Sequence, residues 1–73
     1  MQPFYISDEF IELNRLLKVL NLAESGGQAN QIIADGLILV NGVLELRKRK
    51  KLRPGDVVKF RKVEIQILND EGE

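Results

Sequence analysis

The residues best suited to chemistry in this chain are five consecutive cations, Arg47-Lys48-Arg49-Lys50-Lys51, followed at once by Leu52-Arg53-Pro54-Gly55-Asp56. Like charges packed this closely repel one another, so the run points to a polyanion outside the protein, and a polyphosphate backbone is the simplest one. Residues 47 to 62 hold nine of the eleven basic side chains and a single acid, Asp56. The local charge is +8, residues 1–46 and 63–73 carry −4 each, and the formal net charge of zero hides a dipole. Because the Debye length is about 8 Å at physiological salt, a ligand at the run feels chiefly the local field.

Other chemistries find little support. The chain has no cysteine and no histidine, which removes disulfides, the usual zinc ligands and a histidine base for a nucleophile. There is no P-loop, and the acids are dispersed. A 73-residue chain also has difficulty enclosing a pocket of about 300 Å³ or more. The expectation is a protein that is not an enzyme and uses no cofactor and no metal. Among nucleic-acid binders, single-strand readers stack bases on exposed rings, and only Phe4, Tyr5, Phe10 and Phe60 are available. Most are expected in the core, with Tyr5 packed over a sheet rim rather than stacked on a base. Binding is then expected to rest on phosphate contacts and shape, as for folded RNA or a duplex.

The elements that must position the run are legible from periodicity. Phe4-Tyr5-Ile6 reads as a short strand at a sheet rim. Ser7 reads as a helix N-cap with Asp8 and Glu9 in the first turn, and helix one is expected from Asp8 to Leu20. Phe10, Leu13, Leu16, Leu17 and Leu20 form its apolar stripe, while Arg15 and Lys18 share a face outside it. Asn21 can take the left-handed turn that ends the helix. Ser25-Gly26-Gly27-Gln28 matches a capping box opening helix two, whose buried side is Ala29, Ile32 and Ile33 and whose end is at Asp35-Gly36. Gly26 and Gly27 either leave first-turn amides open to a phosphate or serve a tight backbone turn.

From Leu37 the period changes to two. Leu37-Ile38-Leu39-Val40, Asn41-Gly42 and Val43-Leu44-Glu45-Leu46 read as a hairpin. The basic segment follows as an irregular loop or an edge strand. Pro54-Gly55 is a turn, and Val57-Val58-Lys59-Phe60 and Val63-Glu64-Ile65-Gln66-Ile67 are two further strands. Residues 69–73 read as a frayed polar tail. No apolar run approaches the roughly 20 residues needed to cross a bilayer, and the N-terminus lacks a secretion signal. One cytoplasmic domain, residues 1–73, monomeric, is the expectation.

Two short helices, then Asp35-Gly36-Leu37-Ile38-Leu39-Val40-Asn41-Gly42, then a basic stretch ending in Leu52-Arg53-Pro54-Gly55-Asp56-Val57-Val58, resemble the alpha-L RNA-binding motif of the ribosomal small-subunit protein S-four type. That motif occurs in ribosomal proteins, tyrosyl-tRNA synthetases, pseudouridine synthases and a heat-shock ribosome-binding protein. The likeness spans about residues 11–58. The short length, the Ser25-Gly26-Gly27-Gln28-Ala29 helix start and the Arg47-Lys48-Arg49 run look like its small stand-alone YbcJ-like members. The resemblance implies an α+β fold, a two-helix hairpin packed on a small, mainly antiparallel sheet of four to five strands. It implies binding of structured RNA, ribosomal or transfer RNA first. Arg47, Lys48, Arg49, Lys50 and Lys51 would make the main contact, with Arg53 at its edge. Arg15, Lys18 and the helix-two start Ser25, Gly26, Gly27 and Gln28 would be second contributors. The sequence departs from the family on helix two, where Gly26, Gly27, Gln28, Asn30 and Gln31 stand in place of basic residues. An acidic ribosome-associated or RNA-processing protein and duplex DNA are the alternative partners.

Overall fold

A computed structural model describes residues 1–70. The elements in chain order are β1 (Gln2–Ile6), β2 (Ile11–Glu12), α1 (Leu13–Val19), α2 (Gly26–Ala34), β3 (Ile38–Val40), β4 (Val43–Leu44), β5 (Lys51–Leu52), β6 (Val57–Phe60) and β7 (Val63–Asn69). Five strands form one sheet in the order β1-β7-β6-β3-β4, antiparallel except where β1 runs parallel to β7. The separate pair β2-β5 is antiparallel. The architecture is the expected helical hairpin on a mainly antiparallel sheet. The helices cover one face: Leu13, Leu16 and Leu17 of α1 and Ala29 and Ile33 of α2 pack with Ile38, Val58, Ile65 and Ile67, all of them fully buried. Each large side chain in that set contributes about 1.5–3 kcal/mol. The sheet's other face carries exposed Lys59 and Glu64, which face each other across β6 and β7.

Local chemistry sets the ends of most elements. Asn41 (φ 54°) and Gly42 (φ 82°) both take left-handed backbone, as the type I′ turn between β3 and β4 requires. Asn21 (φ 62°) closes α1 with the Leu22 N–H on the Leu17 carbonyl at 2.9 Å and its own N–H on that of Lys18 at 3.0 Å. This is a Schellman closure, and half-buried Leu22 packs on the core beneath it. The Ser25 Oγ accepts from the Gln28 N–H at 3.1 Å, and Gly36 (φ 77°) ends α2. The Gln28 side-chain oxygen accepts from the Glu24 N–H rather than that of Ser25, one residue earlier than a capping box prescribes.

Three expectations are corrected. Helix one does not begin at Asp8, and Ser7 is not its cap. The chain bends through residues 7–9 and forms β2 before α1 starts at Leu13, with no side-chain cap at Glu12. The Leu13 and Asn14 N–H groups instead donate to the Lys50 and Lys48 carbonyls at 2.9 and 3.0 Å. A distant segment satisfies the helix start, and that tertiary partner outweighs the local cap signal. Phe10 therefore leaves the core stripe and is only half-buried. Asn69 is not tail but the last residue of β7, paired with Ile6, and the Asp70 N–H donates to the Ile6 carbonyl at 3.0 Å. Residues 71–73 of the expected tail lie outside the described residues. Tyr5 lies on the rim strand β1, as expected, and is 58% exposed.

The two turns that the sequence singles out are clipped together. Asn41 Nδ2 donates to Asp56 Oδ1 at 3.0 Å, Asn41 Oδ1 accepts from the Val57 N–H at 2.8 Å, and Asp56 Oδ2 accepts from the Arg53 N–H at 2.8 Å. Pro54 and Gly55 (φ 102°) complete the second turn with the Asp56 N–H on the Arg53 carbonyl. Asn41→Ala removes both side-chain bonds and places a poor residue at a left-handed position. We expect a loss of about 2–3 kcal/mol in urea denaturation, and a smaller loss for Asn41→Gly, which keeps the turn conformation.

Candidate functional site

The basic segment is shaped from both ends. At its start the chain leaves β4 through Glu45, a buried acid whose N–H donates to the Ile38 carbonyl. The Glu45 carboxylate accepts from the Arg47 N–H at 3.0 Å, from Nε at 2.9 Å and from Nη2 at 3.1 Å. These bonds hold the Glu45 carboxyl below the usual carboxylate range, against the opposing effect of its burial, and raise the Arg47 guanidinium. The segment then turns at Lys48 and Arg49, where the Lys50 N–H donates to the Arg47 carbonyl, and enters β5 against β2. Both descriptions offered for the segment, loop and strand, are realised in succession.

Turning the Lys48 and Lys50 carbonyls inward onto α1 leaves the side chains facing outward. Arg47, Arg49, Lys50, Lys51 and Arg53 line one open depression of about 490 Å³. Four members of the run and Arg53 are thus brought together on one side. Lys48 is exposed and does not line it. Arg47 pairs with Glu45 and Arg49 pairs with Glu12 at 3.3 Å, yet both arginine side chains remain more than 70% exposed. The side chains of Lys50, Lys51 and Arg53 form no ion pair among the described residues. Phe10, which periodicity placed in the core, instead carries two of them: Lys51 Nζ is 4.9 Å and the Arg53 guanidinium 5.7 Å from its ring centre. No sequence signal marks this contact, because Phe10 also fits the apolar helix period.

The remaining predicted residues are placed elsewhere. Arg15 lines a second depression of about 470 Å³, together with Tyr5, Asp8 and Phe10. Lys18 is exposed in the last turn of α1 and lines neither. The amide side chains of α2 are engaged within the molecule: Gln28 with the Glu24 N–H, Asn30 with Asn14 at 3.1 Å, and Gln31 with Asp35 at 2.8 Å. Packing does not demand glycine at the start of α2. A methyl group at Gly26 would meet nothing within 4 Å, one at Gly27 only the Ser25 Oγ at 3.8 Å, and neither residue has left-handed backbone. Lys59, Arg61 and Lys62, which inflate the charge of the 47–62 window, lie on β6 and its turn to β7 and do not line the cationic depression. The described residues contain no acid cluster able to hold a metal ion, and no helix long and apolar enough to cross a membrane.

Residues 4–68 match the model of the S4 domain family. YbcJ of Escherichia coli (strain K12), named as a candidate RNA-binding protein, is 41% identical over 58 residues, which is 80% of this chain and 83% of that protein. The probable ribosome maturation protein RlbA of Bacillus subtilis (strain 168) is 37% identical over 58 residues, 80% of this chain and 82% of RlbA. The solution structure of E. coli YbcJ, described as having an alpha-L motif involved in RNA binding, superposes with a TM-score of 0.70 at 38% identity, covering 93% of this chain and 87% of that one. With the Asn41–Asp56 clip, the helical hairpin and the cationic depression in place, the chain belongs to the S4 domain family and has the alpha-L fold of its YbcJ-like members.

Proposed function

We propose that this chain binds structured RNA, ribosomal or transfer RNA, without catalysis, through the sugar-phosphate backbone. The observation that carries the reading is the depression formed by Arg47, Arg49, Lys50, Lys51 and Arg53 on a backbone pinned to α1 and β2. Its guanidinium and ammonium groups suit phosphate oxygens, and its fixed carbonyl anchors mean that the main chain needs no further ordering on binding. The names of YbcJ and RlbA support RNA over other polyanions and a ribosomal setting over others. Arg15, Lys18 and the open amides of Gly26 and Gly27 are secondary contributors at most, because none of them lines the cationic depression. A protein partner with an acidic segment is the second reading. It is favoured by four exposed aliphatic residues near Arg47 in sequence, Leu37, Val43, Leu44 and Leu46.

Titration of the protein with a hairpin RNA, a duplex DNA and an acidic peptide at several salt concentrations tests the reading. Neutralising about five phosphates gives a log–log salt slope of roughly −4, and a flat response for RNA would refute phosphate binding. Lys50→Ala is expected to weaken binding uniformly across RNA sequences and reduce the slope by about 1, while Lys59→Ala, opposite Glu64 on the sheet's open face, leaves both unchanged.

Glu45 sets the start of the groove, and its lowered pKa fixes the sign of its pH dependence. A carboxyl whose folded pKa is depressed adds stability above its unfolded value, about 4.3, and loses it as pH falls through the folded value. Glu45→Gln should therefore lower the urea midpoint at neutral pH. The two proteins should converge in strong acid, once wild-type Glu45 is itself protonated.

A further inference from the structure

We infer that the second depression takes one unstacked guanine of the RNA whose phosphates occupy the cationic groove; this rests on the RNA-binding reading above. The two depressions are joined twice. Phe10 lines the second while Lys51 and Arg53 of the first stand over its ring, and Glu12 lines the second while holding Arg49 of the first. A nucleotide with its phosphate among the cations therefore has its base within reach of the neighbouring depression. At about 470 Å³ the depression accommodates a nucleoside. Tyr5 lines it and is 58% exposed, an aromatic ring outside the core on which a base can stack.

The polar groups select among bases. Asp8, Asp70 and Arg15 line the same depression, and none of the three forms an ion pair among the described residues. Guanine is the base whose edges present adjacent N–H donors for a carboxylate together with O6 and N7 acceptors for an arginine. Uracil and cytosine lack that combination, and adenine has no O6. One base-reading site beside a phosphate groove would add sequence preference to contacts that otherwise only position.

The experiment compares hairpin RNAs carrying a single bulged guanosine, a bulged uridine, or an abasic bulge, across a salt series. Wild type is expected to bind the guanosine bulge about tenfold more tightly than the abasic one, with uridine, which stacks but lacks the edge contacts, between the two. Tyr5→Ala and Asp8→Asn change exposed side chains and should melt like wild type. Both should lose the guanosine preference while keeping the affinity for the abasic hairpin and the steep salt slope. Equal wild-type affinity for guanosine and abasic bulges, with the slope still steep, overturns this inference and leaves the phosphate groove standing. A flat slope for every hairpin refutes the groove instead. Equal gains for guanosine and uridine overturn the guanine assignment. A lysine-rich peptide that perturbs Tyr5 and Asp8 while no base preference exists assigns the depression to a protein.

Discussion

Two backbone hydrogen bonds, from Leu13 to Lys50 and from Asn14 to Lys48, hold this molecule's arrangement together. A helix of seven residues has first-turn amides that must find acceptors, and Glu12 provides no side-chain cap. The basic segment provides those acceptors as main-chain carbonyls. The same two bonds therefore fix the start of α1, close β2 on β5, and orient the side chains of residues 47–51 away from the core. Any conformation that frees the cations to scatter also strips the helix of its cap. The scaffold and the surface that it presents are in this sense one construction.

Holding the cations together has an electrostatic cost. Two unit charges about 6 Å apart in water repel by about 0.7 kcal/mol, and five in one depression form many such pairs. Glu45 and Glu12 offset part of it from behind the groove, each against an arginine rather than a lysine. The fork of a guanidinium can bond a carboxylate on one side and still present donors outward, whereas an ammonium is a single point of charge. Arg47 and Arg49 are thus members of the rim with a carboxylate partner, and Lys50 and Lys51 form no ion pair among the described residues. Phe10 steadies Lys51 and Arg53 without neutralising either.

Where a residue's conformation depends on its immediate neighbours, the sequence was a sufficient guide. Asn41-Gly42, Asn21, the Ser25 cap and Gly36 all do what turn and cap chemistry dictates, and the two-residue period located β6 and most of β7. The larger failures are long-range. Leu13 receives its cap from residues some 35 positions later, so Ser7-Asp8-Glu9 looked like a better helix start than the one that forms. Phe10 satisfied helical spacing by coincidence and is held by cations that only the fold brings near. The run Arg47 to Lys51 was legible as a site because charge repulsion needs no structure to be recognised. Its membership was legible only in part: Arg53 lines the depression as a neighbour of the run, while Lys48, inside the run, does not line it.

The separation of charge along the chain now acquires a geometry. Glu24 and Asp35 flank α2 and Glu64 lies on the open sheet face, while the groove lies at the junction of the β2-β5 pair with α1. A uniformly basic domain of this size would adhere to any polyanion in any orientation. A neutral one with its cations gathered at one place is attracted at that place and repelled through its acidic surfaces, so the long-range field favours the orientation in which the groove meets a polyanion first. Net charge alone would have argued against a polyanion partner. The distribution, fixed by two carbonyls turned toward a helix, argues for one and for a single way of approaching it.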